Sequence, residues 1–413
     1  MSRTTPSILM LTPYPTTAAR HGGQIRAVAL QAAIRESGWA LRSAGLYCAP
    51  HFGDQAPGPD DIRLGVAQAR RAELEMGSID LVNAEQAAED PAVLEALARL
   101  LADAAPDIVI LEQPWAWLPL SRVWPSSGAP KLVYSAQNLE WRLKRDLAER
   151  RLHRPDAPHR IAQTRALEEE LTGRADLIIA ISDLEGEAIR AAWGRDSVHI
   201  PPSSSLADGP LPDRLGRFAA FAAEKRVTYA AIMGSSYWPN VEGFFEIFPE
   251  GLGFLPLGRQ IWVAGSMGAG LHHDSRWHPF RAVNDARLLA VHFIPEAEKS
   301  DFFAGAVAAV LPLTVGAGAK LKTADALACG RPVVATSVAL EGYGPVLEGS
   351  LGNGVYLADE PLRFRQLTRA ALAGELAAPP PTLREALGAG RMAARLDQAL
   401  RGLLPALDGP SGA

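Results

Sequence analysis

Residues 306–337 read Ala306-Val-Ala-Ala-Val-Leu-Pro-Leu-Thr-Val-Gly316-Ala-Gly318-Ala-Lys320-Leu-Lys322-Thr-Ala-Asp325-Ala-Leu-Ala-Cys-Gly330-Arg-Pro332-Val-Val-Ala-Thr-Ser. A short apolar run leads into a glycine loop, then a run of good helix formers, then Gly330, Pro332 and a β-branched pair. That order predicts strand, loop, helix, strand. Gly330 suits the helix C-terminus, because glycine takes positive φ without strain. Pro332 stops the helix from continuing. The loop suits an anion. Amides at a helix N-terminus lack intrahelical partners, and the helix dipole adds partial positive charge there. Gly316 and Gly318 let a phosphate approach the backbone, and Lys320 and Lys322 add full charges. Lys322 and Asp325 stand three apart and share a helix face. A cation and a carboxylate so placed can read a diphosphate and a ribose diol together. By spacing alone, a doubly wound sheet element with a solvated Lys–Asp pair stands equally open.

The whole chain sets bounds on this reading. Its 413 residues suffice for two domains, each with its own core. Apolar content of 48% and charged content of 21% are those of a soluble globular protein. The net charge of −5 argues against a nucleic-acid footprint. Cys48 and Cys329 lie far apart and offer neither a disulfide framework nor a metal spacing, which fits a reduced, cytoplasmic setting. The N-terminal apolar run, Ile8 to Leu11, is too short for a signal peptide, and no run of about 20 apolar residues occurs, so any membrane contact is expected to be peripheral.

The segment from Lys322 to Thr336, Lys-x-x-acid-Ala-Leu-Ala-x-Gly-x-Pro-Val-Val-Ala-Thr, resembles the donor-site signature of GT-B glycosyltransferases of the family-4 type. The resemblance implies an α/β fold of two Rossmann-like, doubly wound domains facing a cleft. It implies a nucleotide-diphosphate sugar as co-substrate and no other cofactor. In that family a Glu-x7-Glu motif spans this loop and helix, and its second acid holds the ribose hydroxyls. Asp325 falls at that second position and Ala317 at the first, where the family often has a glutamate touching the transferred sugar. Many bacterial members carry a small residue there, with basic residues ahead of the second acid, as Lys320 and Lys322 stand here.

Earlier elements fit the same pattern. Ser7 to Thr12 reads as a strand, His21-Gly22-Gly23 as a loop and Gln24 to Ser37 as a helix. The resemblance places Gly22 and Gly23 against the donor phosphates. His21 is either an unengaged loop residue or a base. Ile108 to Leu111 reads as a buried parallel strand, beyond whose carboxyl end Glu112 and Gln113 stand where ligands bind in open sheets. Trp115, Trp117 and Trp124 follow, suited to stacking on sugars or to filling a core. Glu112 and Trp115 are thus candidate acceptor contacts. Ser135-Ala-Gln137-Asn138-Leu-Glu140 is similar to the family's His-Asn-x-Glu segment, with Gln137 in place of histidine. Asn138 and Glu140 are either acceptor or donor contacts, or a helix cap and its first-turn acid. Trp141 to Arg154 is basic, with Arg142, Lys144, Arg145, Arg150, Arg151 and Arg154, and suits an anionic membrane or a solvated face.

Pro201 to Asp213 reads as a linker. Residues 1–205 form the expected acceptor-side domain and 206–375 the donor-binding domain. Residues 376–413 form a helix crossing back onto the first domain, with a disordered tail from Asp408. In the second half, Val227 to Met233 reads as a strand ending in Gly234-Ser235, with Trp238-Pro239-Asn240 before a helix. This matches the bacterial variant, although the family's Arg and Lys after this strand are absent. Lys320 and Lys322 are left to carry the charge. Ser266-Met-Gly268-Ala-Gly270 mimics a dinucleotide loop but lacks the acidic partner of that fingerprint. His272, His273, Asp274 and His278 suggest a metal only weakly, because adjacent histidines do not easily face one site and no helix or hairpin is read there to fix them. Pro295 follows a strand in the loop that the resemblance sets against the nucleobase. With no Asp-x-Asp motif at a strand end, no metal is expected, and the lysines and dipole take its place.

The expected activity is transfer of a sugar from a nucleotide-diphosphate donor to a glycan, lipid-linked or small-molecule acceptor, with configuration retained. Lys320, Lys322 and Glu140 are the candidate catalytic residues. Gly22, Gly23, Gly234, Ser235, Pro295, Gly316, Ala317, Gly318 and Asp325 are the candidate donor contacts. Glu112, Trp115 and Asn138 are the candidate acceptor contacts. An inactive sugar-nucleotide-binding protein and a sugar-nucleotide epimerase of the same fold remain open.

Overall fold

The computed structural model describes residues 5–48, 52, 55, 57–65, 78–149, 157–209, 216–316 and 318–404. Ala317, Arg150, Arg151, Arg154, linker positions 210–213 and the tail from Asp408 lie outside the described residues. The chain divides into two compact units, Met1–Ile200 with Met392–Ala413, and Pro201–Arg391.

The first unit holds β1 (Ser7–Thr12), β2 (Ala40–Cys48), β3 (Ile62–Leu64), β4 (Ile108–Glu112), β5 (Lys131–Ala136), β6 (Leu177–Ala180) and β7 (Val198–His199). They pair in the order β3-β2-β1-β4-β5-β6-β7, all parallel. Parallel strands need crossovers, and the crossover helices cover both faces, so β1 is buried at every position. Its side chains alternate between two cores, with Leu9 and Leu11 in one and Ile8 and Met10 in the other. Met392, Leu396 and Leu400 of the helix Ala389–Arg401 join the second of these. Asp397 accepts a hydrogen bond from the Trp39 indole at 2.7 Å, tying this helix to the unit.

The second unit repeats the plan with β8 (Thr228–Met233), β9 (Arg259–Ala264), β10 (Leu288–Val291), β11 (Ala308–Leu311), β12 (Val333–Ala335) and β13 (Val355–Leu357). The order is β10-β9-β8-β11-β12-β13, again parallel. Strand order reverses between β1 and β4 in one unit and between β8 and β11 in the other. At such a point two neighbouring loops leave in opposite directions and open a crevice at the carboxyl ends.

The quoted stretch forms β11, a loop, the helix Leu321–Ala328 and β12. Gly330 takes φ 67° just beyond that helix, as its place in the sequence implies. Several local readings change. Residues 50–80, read as irregular, contain β3 and the start of the helix Ile79–Glu89; three residues are too few for a strand period to show. The Gly268 cluster, already set aside as a dinucleotide loop for want of its acidic partner, forms the helix Met267–His273. A Cβ on Gly268 would meet Ala290 Cβ at 2.6 Å, so this glycine serves close packing against β10. The tail expected as one helix breaks into Pro381–Glu385 and Ala389–Arg401.

Gly243, in the helix Trp238–Ile247, meets the backbone that leaves β11. A Cβ there would lie 2.2 Å from the Pro312 carbonyl oxygen. Gly243→Ala is therefore expected to destabilise the protein by about 1–3 kcal/mol, the usual cost of overpacking. A urea denaturation midpoint unchanged from the parent would refute that close approach.

Candidate active site

In the second unit, the loops after β8 and β11 lie side by side at the switch point. Gly316 and Gly318 adopt φ of 128° and 72°, a backbone that only glycine takes readily. The loop then enters the helix Leu321–Ala328 with Lys320 as N-cap residue and no side-chain cap. The amides of Leu321 and Lys322 therefore precede the first intrahelical acceptor. The Lys320 carbonyl accepts from Thr323 N at 2.9 Å and from the Tyr343 hydroxyl at 2.7 Å, which pins the start of the helix.

The two lysines differ. Lys320 Nζ donates to Val338 O at 2.7 Å and to Glu341 Oε2 at 2.8 Å, so a carboxylate offsets its charge. Lys322 Nζ donates to Asn240 Oδ1. Burial, and then the neighbouring Lys320 charge, push Lys322 down to about 7. Asn240 Nδ2 in turn donates to Ser235 O at 2.8 Å, linking the post-β8 loop to the helix. Ser235 is exposed, and Gly234 lies where a Cβ would press on Met267 Sδ at 3.1 Å. The structure thus brings Gly234, Ser235, Gly316, Gly318, Lys320 and Lys322 to one edge of one sheet.

Asp325 lies one turn further in and is 6% exposed. Its Oδ1 accepts from Ser204 Oγ at 2.7 Å and its Oδ2 from Lys299 Nζ at 3.0 Å. Burial raises its carboxyl pKa, while the Lys299 charge and the Ser204 bond oppose the rise. Lys299 also pairs with Glu296 Oε2 at 2.7 Å. Pro295 is exposed and caps the helix Glu296–Gly305 that carries both residues. Ser204 and Lys299 escaped the sequence reading, and Asn240 entered it only within the Trp238-Pro239-Asn240 motif. Lys299 and Ser204 stand 26 and 121 residues from Asp325, so no local spacing could have flagged them.

The first unit has its own cluster beside the β1–β4 switch point. Gln137 Nε2 donates to Glu112 Oε1 at 2.6 Å and Tyr14 Oη at 2.7 Å and lies 3.2 Å from Gly23 O. Arg26 Nε lies 3.5 Å from Glu112 Oε1, both side chains buried. Burial raises the Glu112 pKa, against the Arg26 charge and the hydrogen bond from Gln137. Gln113 sits at φ 68°, left-handed backbone outside glycine's usual role. Gly23 has no room for a side chain, since a Cβ would meet Tyr14 Oη at 2.8 Å. Gly22 is the exposed first residue of the helix Gly22–Glu36, and His21 caps it by accepting from Gln24 N through Nδ1.

Two expectations change here. Glu112 is fully buried and Trp115 is 3% exposed, so neither presents a surface for direct acceptor contact. Glu112 holds Gln137 and Arg26, and Trp115 packs in the core with Trp117. Asn138 is partly buried and lies 3.5 Å through Nδ2 from Glu140 Oε1. The amides of Glu140 and Trp141 donate to Glu168 at 3.0 and 2.9 Å. Burial, and then the Glu140 charge, push Glu168 up to about 8. Glu168 thus fixes the start of the helix that carries Glu140. Of the histidine cluster, His272 packs edge-on against Trp277, and His273 Nδ1 lies 2.7 Å from Ala269 O.

Comparison with known proteins covers both units. The Glycosyl transferase 4-like domain matches residues 21–202, and the Glycosyl transferases group 1 domain matches residues 239–371. No curated protein sequence matches the chain. Among solved structures, sucrose-phosphate synthase from Thermosynechococcus elongatus superposes with TM-score 0.65 at 15% identity, over 97% of this chain and 99% of that one. Anabaena HepE in complex with UDP-glucose gives TM-score 0.63 at 12% identity, covering 96% and 99%. A putative UDP-N-acetylglucosamine 2-epimerase from Listeria monocytogenes gives 0.56 at 11%, covering 97% and 96%. Identities this low speak to the fold. The two family models reach further, because they span the glycine-loop helix of the first unit and the Lys322–Asp325 helix of the second, and on them the chain belongs to the GT-B glycosyltransferases, enzymes that use nucleotide sugars.

Proposed function

We propose that this glycosyltransferase moves a sugar from a nucleotide-diphosphate sugar to a glycan, lipid-linked or small-molecule acceptor, with retention at the anomeric carbon and without a metal ion. The observation that carries the reading is Lys322. An ammonium pushed down to about 7 by burial and a like charge is held at a cost. An arriving pyrophosphate relieves that cost, and groups perturbed in this way concentrate at functional sites.

In this reading the bond from the anomeric carbon to the diphosphate oxygen breaks as the acceptor oxygen bonds that carbon on the same face. The acceptor proton passes to the departing phosphate. Negative charge grows on the diphosphate, where the loop amides, the helix N-terminus and Lys322 stabilise it. Lys320, balanced by Glu341, adds charge from further off. Asp325 takes the ribose hydroxyls, and the loop at Pro295 borders the base. The family resemblance assigns Gly22 and Gly23 to the donor phosphates, and Asn138 and Glu140 to the transferred sugar and acceptor. HepE was crystallised with UDP-glucose, which makes that donor the first probe. Peripheral membrane contact belongs to the proposal only for a lipid-linked acceptor; among the described residues no helix is long and apolar enough to cross a membrane.

A binding protein without catalysis is the second reading, favoured by the amide of Gln137 where a titratable imidazole is common in the family. Nucleotide-sugar binding with neither transfer nor slow donor hydrolysis would select it. Release of free nucleotide diphosphate only when acceptor is supplied would argue against epimerase-type chemistry.

Three outcomes are expected. Lys322→Ala lowers turnover by more than roughly tenfold, the scale of losing one charge-stabilising donor; equal turnover in a folded variant would remove Lys322 from the mechanism. Nucleotide diphosphate binding takes up a proton above pH 7, so calorimetry in buffers of different ionisation heat shows affinity falling from pH 7 to 9. A pH-independent affinity contradicts this. For stability the sign is opposite. The folded Lys322 titrates near 7 and the unfolded one near 10.5, so between these values the unfolded chain binds more protons and stability rises with pH. Lys322→Met should raise the melting temperature most at or below pH 7, and should flatten that rise.

A further inference from the structure

We propose that Lys299 is a positioning residue for donor binding, holding Asp325 as a carboxylate so that it can accept two ribose hydroxyls. The inference rests on the donor-site reading above and adds a residue that no motif of the chain identifies. Its basis is geometry. Asp325 is 6% exposed, and its side chain has two fixed neighbours. Ser204 Oγ lies 2.7 Å from one oxygen and Lys299 Nζ 3.0 Å from the other. Of these only Lys299 carries charge. Its own side chain is buried to 11% exposure and is anchored on the far side by Glu296 at 2.7 Å. Glu296 is held in turn by Ser205 Oγ at 2.7 Å. The result is a short chain from Ser205 through Glu296 and Lys299 to Asp325.

A carboxylate accepts through both oxygens, whereas a carboxylic acid gives one of them a proton. A ribose diol presents two hydroxyl donors, so it needs the ionised form, whose hydrogen bonds are also the stronger. Burial opposes that form. Several other charges surround the helix Leu321–Ala328. Lys320 and Lys322 stand at its start. Glu296 and Lys299 come from the helix Glu296–Gly305. Arg384 and Glu385 come from the packed helix Pro381–Glu385, with Arg384 donating to Leu206 O and Gly209 O. Asp208 accepts from Ala389 N at 2.9 Å, and Glu341 pairs with Lys320. Among the described residues, Lys299 is the cation in ion-pair contact with Asp325. With Glu296 close behind it, removing Lys299 would leave the carboxyl facing a buried environment and a like charge.

The test measures UDP and inorganic pyrophosphate binding to the full chain by calorimetry from pH 6 to 9. Lys299→Met is expected to weaken UDP binding, relative to the parent at the same pH, by about tenfold for each unit by which the Asp325 pKa passes the working pH, and this gap to the parent closes as pH rises. Pyrophosphate, which has no ribose, should bind as in the parent. Lys299→Gln, which keeps a hydrogen bond but not the charge and guards against misfolding of the Met variant, should show the same alkaline recovery. Lys299→Arg should restore the parent profile. Adding Lys299→Met to Asp325→Asn should cost nothing further, since the two act as one unit. UDP affinity equal to the parent with the same pH profile, or additive losses in the double variant, would overturn the positioning role and leave the donor site standing. Higher UDP affinity in Lys299→Met would overturn it too, showing that Lys299 competes for Asp325. Failure of the parent protein to bind any nucleotide diphosphate would overturn the donor reading itself, and this inference with it.

Discussion

Everything in the second unit depends on the reversal of strand order between β8 and β11. Parallel strands send all their outgoing loops to one edge, and the reversal parts two of them there. Gly234 and Ser235 leave β8, and Gly316 to Lys320 leave β11. Asn240 joins the two, taking Lys322 on its oxygen and giving its amide to Ser235. Gly243 lets the helix behind Asn240 settle onto the Pro312 backbone. Without that approach, the lysine and the post-β8 loop would not meet.

The site is built from charges that the fold holds at a disadvantage. Lys322 is pushed down by burial and by Lys320, and Asp325 is pushed up by burial. Each lies close to a neighbour that limits the cost. Asn240 offers Lys322 an oxygen without a full negative charge, so the ammonium stays available to an anion. Lys299 offers Asp325 a full positive charge, and Lys320 is matched by Glu341. The cation with a neutral partner is therefore the one best placed to respond to a diphosphate. The first unit follows the same logic around Gln137, whose two N–H groups face Glu112 Oε1 and Tyr14 Oη while its oxygen accepts from Gln113 Nε2. An imidazole has two ring nitrogens rather than an amide's two N–H donors and an oxygen, and it would not make this set of contacts.

Much of the architecture was legible because its signals are local. The β1 run, the glycine after the 321–328 helix and the proline beyond it each act within a few residues. What the sequence concealed is either too short to show a pattern or joins residues far apart in the chain. The three residues of β3 are too few to show a period. The close packing of Gly268 against Ala290 joins residues of two separate elements. Glu112 stands where ligand contacts stand in such sheets, yet Arg26 and Gln137 draw it inward.

By itself, the sequence determined the two-domain α/β architecture, the anion-suited turn before Lys322 and the resemblance to nucleotide-sugar enzymes. These follow from backbone conformation, helix polarity and charge spacing along a short stretch. Tertiary structure alone decided which charges are paired. Lys299 and Ser204 reach Asp325 only because the chain folds back across 26 and 121 residues. Protonation depends on distance and burial in space, and neither can be read from position along a chain.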